Sequence, residues 1–180
     1  MLELRKSSWK FITAGNFGVN IDVFALSGGQ IVLQNPQHKT VRFDYGGGGV
    51  GVGFGVTLPK IGKVEIKHLG RSITGTVGPE SFPNHGDVYE TNFFKGTELK
   101  AKDFEGACMF IDGGMGMVGG FSTTILYAGI DRSKLAFAMK SPIMSLAMLN
   151  AQPNAVIYIR GPNMGLQFGA GVAGYLGYVV

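Results

Sequence analysis

The residues of this 180-residue chain best placed to do polar chemistry are Glu80, His85, Asp87 and Glu90, all within the stretch from Gly75 to Gly96. An imidazole among carboxylates can converge on a metal, or divide the roles of general acid and base. A solvated polar loop accounts for the same residue types without chemistry. His38 and His68 lie far from this stretch, no H-E-x-x-H occurs, and the single cysteine, Cys108, cannot build a structural zinc site alone. No metal and no cofactor are therefore expected. Cys108, between Ala107 and Met109, reads as a buried inert thiol rather than an activated nucleophile.

Two stretches fit G-x-G-x-x-G, at Gly46, Gly48, Gly51 and at Gly114, Gly116, Gly119. That fingerprint binds a pyrophosphate only where a helix opens after it, and neither match sits in a strand-helix-strand unit. Neither a G-x-x-x-x-G-K-[ST] loop nor a G-x-S-x-G elbow is present. Basic residues are not interleaved with stacking aromatics, so no nucleic acid is expected as a partner.

The second candidate chemistry is apolar. From Gly47 to Gly55 every odd position is glycine, while the even positions Val50, Val52, Phe54 and Val56 are apolar. Successive strand residues point to opposite faces, so this strand has one apolar face and one bare face. Met115 and Met117 alternate with Gly114 and Gly116, and the segment from Gly165 to Ala173 repeats the device. Methionine adapts to irregular apolar sites, which makes Val50, Val52, Phe54, Met115, Met117, Met144 and Met148 the candidate contacts for an apolar ligand.

Strands must position these residues. Val19, Ile21 and Val23 alternate with polar neighbours, Ser27-Gly28-Gly29 reads as a turn before a short strand Ile31 to Leu33, and Asn35-Pro36 as another turn. Lys63, Glu65 and Lys67 alternate with Val64, Ile66 and His68. Val88 to Phe94 reads as an edge strand, Phe104 to Ile130 as two strands about a glycine-rich bend, and Lys134 to Met139 and Ala155 to Ile159 as further strands. Gly161-Pro162-Asn163 reads as a turn. Ser141-Pro142 opens a helix that runs to Ala151, apolar on nearly all faces and so expected to be buried, and the glycine face is there to admit this helix or a neighbouring sheet, with a ligand or partner as the other occupants.

Composition narrows the class. With 45% hydrophobic and 16% charged residues the chain is not disordered, and 30 glycines without a G-X-Y period point to β-structure with close backbone approaches. A net charge of +4 is spread along the chain. One cysteine, no usable signal peptide and no apolar run of spanning length lead to a cytoplasmic expectation. Through Trp9, its successive antiparallel strands and a late helix, the chain resembles small ligand-carrying β-barrels of the lipocalin kind. It has Ser7 where their glycine would stand, and it lacks their paired cysteines.

The expected fold is a single all-β domain over residues 1–180, an antiparallel barrel or sandwich of about eight to ten strands with one buried helix near 142–151. The expected function is a non-enzymatic binding or interaction module. Such a module carries an apolar ligand or joins a larger assembly, with a protein partner or a second copy. A peripheral, lipid-associated protein that uses the apolar segment Leu166 to Val180 is the alternative, and an enzyme using residues 80–90 stands third.

Overall fold

The computed structural model describes residues 1–21, 24–54, 57–58, 65–68, 71–74, 85–116, 120–138, 140, 149–163, 166–167 and 169–180. It is all-β, dominated by one nine-stranded antiparallel sheet. In chain order the strands are β1 (Leu4–Lys6), β2 (Lys10–Ile21), β3 (Phe24–Gln34), β4 (Thr40–Phe54), β5 (Thr57–Leu58), β6 (Glu65–His68) and β7 (Arg71–Thr74). They continue with β8 (His85–Thr91), β9 (Gly106–Gly116), β10 (Gly120–Ile130), β11 (Ala155–Asn163), β12 (Leu166–Gln167) and β13 (Gly169–Val179), and helix α1 is Arg132–Ala138. The large sheet runs β1-β8-β11-β10-β9-β13-β4-β3-β2, while β5 with β12 and β6 with β7 make two small pairs.

This ladder does not close into a barrel, and its order is not the sequential one of a lipocalin. The sheet is nonetheless rolled. Strands β1 and β2 are its two ends, yet only residues 7–9 separate them in the chain, a link that reaches about 14 Å at full extension. Phe11 of β2 lies against β8 so closely that a Cβ on Gly86 would meet its ring at 2.6 Å.

Rolling produces two apolar layers. The inner one joins Ile31, Leu33, Phe43, Tyr45, Val88, Cys108, Phe110, Leu126, Ile157 and Val179, all buried. Trp9 anchors its end: the indole donates to the Leu99 carbonyl at 2.7 Å and packs on Phe104, ring centroids 5.0 Å apart, with Phe43 5.3 Å from Phe104. Each such aromatic pair adds about 1 kcal/mol to the burial of its area. The outer layer joins Ala107, Met109, Tyr127, Ile130 and Val156 with Ala138 of α1 and Ala151.

Several local expectations are corrected. Of the strand expected over Lys134 to Met139, residues 134–138 lie in α1 and Met139 lies outside the described residues; Asp131 caps the helix, its carboxylate accepting from the backbone N–H of Ser133 at 2.8 Å and from the Ser133 hydroxyl. Ser27-Gly28-Gly29 is no turn but lies within β3, where Gly28 pairs with Gly46, and the β2–β3 reversal falls after Ile21. Gly161-Pro162-Asn163 continues β11, with Pro162 opposite Phe121. Val88 to Phe94 is not an edge strand, since β8 ends at Thr91 and is paired on both sides, by β1 and β11. Of the helix expected over 142–151, residues 142–148 lie outside the described residues; 149–151 are helical. Ala151 packs in the outer layer, so this end of the segment does not sit on the face that Gly47 shares with Phe43 and Tyr45.

Candidate functional site

The polar constellation is drawn out along β8. His85 is exposed at its start, and Asp87, two residues on, pairs with Lys6 at 3.1 Å. Glu90 has the opposite parity; its carboxylate, 6% exposed, accepts from Arg5 Nε at 3.0 Å and forms an ion pair with the same guanidinium. Both carboxylates thus fasten β1 to β8. Glu80 lies outside the described residues. Among the described residues, no three His, Cys, Asp or Glu side chains gather as a metal-binding group. Cys108 is fully buried, and burial pushes its thiol pKa up to about 12, with a backbone hydrogen bond at Gly177 acting in the opposite direction.

The glycine-faced segments behave differently: the fold sets them side by side. Strand β13 lies between β9 and β4. Gly171 stands opposite both Gly53 and Gly114, Gly169 opposite Gly116, and Gly177 opposite Gly47. What fills the bare face at this last pair is neighbouring backbone, since a Cβ on Gly47 would meet the Leu176 carbonyl oxygen at 2.2 Å.

The register also joins the apolar candidates. Phe54, Ala170, Met115 and Phe121 occupy one row across four strands, Val52 stands opposite Val172, and Val50 stands opposite both Phe24 and Gly174. These positions keep the parity of Leu176 and Tyr178, which pack with the outer layer. Met117, Met144 and Met148 lie outside the described residues.

Beyond the core the two parities diverge in composition. In step with inward Ala14, β2 continues through Asn16, Gly18 and Asn20; in step with Phe110, β9 continues through Asp112, Gly114 and Gly116; in step with buried Thr124, β10 continues to Ser122 and Gly120. The alternate positions of β2 and β3 include Phe17, Val19, Ile21, Phe24 and Leu26, with Val19 opposite Leu26, Ile21 opposite Phe24 and Phe17 opposite Gly28. Sequence reasoning found the glycines and the alternation around Asn20 in β2 but missed the polar position of β10, although the signal was there in Ser122.

No helix among the described residues is long and apolar enough to cross a membrane. No protein-family model matches the chain, and no solved structure matches it. It is 37% identical over 186 aligned residues to Toxin protein Tse4 of Pseudomonas aeruginosa, across 98% of this chain and 95% of that protein. At that identity over nearly the whole of both chains, this protein belongs to the family of Toxin protein Tse4.

Proposed function

We propose that this protein is a toxin that acts on a lipid bilayer without catalysis, through the glycine-rich end of its rolled sheet. The observation that carries this reading is the split of parity across β2, β3, β4, β13, β9 and β10: apolar residues at one set of positions, small and polar residues at the other. Membrane-crossing β-strands show that alternation, apolar toward lipid and polar toward an aqueous interior. They need about 9–11 residues to cross, and β4 has 15 while β3, β9, β10 and β13 have 11 each. At about 3.3 Å per residue, β4 extends about 50 Å, and its described inner-core residues are Phe43 and Tyr45. The toxin relative supports a damaging activity, and the apolar segment from Leu166 to Val180, which is largely β13, supports lipid as the contact.

Dye release from phosphatidylcholine–phosphatidylglycerol vesicles tests this, with charge placed on each parity in turn. Val52→Asp and Val172→Asp should abolish release, whereas Ser122→Asp, on the other parity, should keep it within a few-fold. Absence of release by the unaltered protein, or equal loss from both parities, would overturn the reading.

A further inference from the structure

Helix α1 is fastened to the outer face of the sheet at the edge of its apolar region. Leu135 and Ala138 turn toward Met109, Tyr127 and Ile130, and the Arg132 guanidinium lies 4.9 Å from the centre of the Tyr178 ring on β13. From Tyr178, the same parity of β13 runs through Leu176 and Gly174 to Val172 and Ala170, opposite Val52 and Phe54.

The other side of α1 is open. Lys134 and Phe137, three residues apart on one helix face, are both exposed, Phe137 to 61%, and exposed Lys140 follows, its N–H bonded to the Phe137 carbonyl at 3.1 Å. Asp131, the acid adjoining α1 in the chain, is engaged in capping the helix. A largely exposed phenylalanine ring with exposed Lys134 and Lys140 to either side in the chain combines apolar and cationic character, as interfacial membrane helices do.

We propose that the Lys134–Phe137–Lys140 stripe is a docking surface for anionic lipid headgroups, with the ring entering the headgroup boundary and the two ammonium groups meeting phosphate. This deepens the bilayer reading above and rests on it. The choice of a lipid surface over an acidic protein follows from the position of α1. It borders the parity assigned to lipid, so the stripe would reach the headgroups while the far end of the sheet enters the hydrocarbon. Interfacial anchors commonly sit at that level.

Vesicle flotation with 30% phosphatidylglycerol in phosphatidylcholine, against phosphatidylcholine alone, tests the stripe. Each lysine near an anionic surface strengthens partition about fivefold, so Lys134→Gln/Lys140→Gln should weaken binding to the anionic vesicles about 25-fold and erase the preference over neutral ones. Phe137→Ser should weaken binding to both kinds. All three substitutions are at exposed positions, and circular dichroism checks that the sheet is kept. Unchanged partition of these variants, while the unaltered protein still binds and releases dye, would overturn the stripe alone. Failure of the unaltered protein to bind either vesicle would overturn the bilayer reading with it.

Discussion

Replacing Gly177 by alanine probes the contact on which the glycine strands depend. A Cβ built there would lie 1.9 Å from the Gly46 carbonyl oxygen and 2.7 Å from Gly47 Cα, whereas ordinary contact begins near 3.4 Å. Both obstacles are backbone, so no rotamer change can relieve them. Strands β13 and β4 would have to separate by more than an ångström around the Gly177–Gly47 pair, which breaks the local ladder. Overpacking costs about 1–3 kcal/mol and each lost hydrogen bond about 1 kcal/mol. The expected destabilisation is thus about 3–5 kcal/mol, a large part of the 5–15 kcal/mol typical of a domain. Urea unfolding followed by tryptophan fluorescence reads it directly, because Trp9 is buried in the inner core. Gly47→Ala should show a similar loss, its Cβ meeting the Leu176 carbonyl oxygen at 2.2 Å. A cost below about 1 kcal/mol for both variants would mean that the strands do not approach so closely, and would refute the close-approach account of these two glycines.

Two further outcomes are expected. Arg5→Ala leaves the Glu90 carboxylate buried without its cation; since Arg5 is itself 70% exposed, the cost is discounted for screening to about 1–2 kcal/mol. Hydrogen exchange should show faster opening at β1 and β8, with β9 and β13 unchanged, and uniform protection would contradict the fastening role of the pair. The Cys108 thiol, raised from 9.0 to about 12 by burial, should resist alkylation at pH 8 in the folded protein and react once urea unfolds it. Because the unfolded chain loses this proton first, its contribution is flat below pH 9, and stability falls as pH rises from about 9 toward 12. Rapid labelling of the native protein would count against a buried thiol.

Both parities of the glycine segments were readable in the one-dimensional pattern, because alternation is a property of the strand itself and needs no knowledge of neighbours. The all-β class followed for the same reason. The α1 helix was missed although Asp131 and Ser133 supply its cap, since Leu135 and Phe137 alternate with Ala136 and Ala138 much as strand residues do. The pairs Arg5–Glu90 and Lys6–Asp87 join residues about 80 positions apart. Nothing local in either segment announces its partner.

What the sequence determined by itself, then, was the all-β class and the alternation of bare and apolar positions along the glycine segments. Tertiary structure alone decided that β4, β13 and β9 are neighbours, that the sheet rolls until Phe11 meets Gly86, and that Gly47 and Gly177 make room for each other's backbone. The physical reason is one of range. Side-chain alternation is set within a few residues, while strand order is a choice among distant partners. Closing a longer loop costs little more than closing a shorter one, so proximity in the chain leaves that order open.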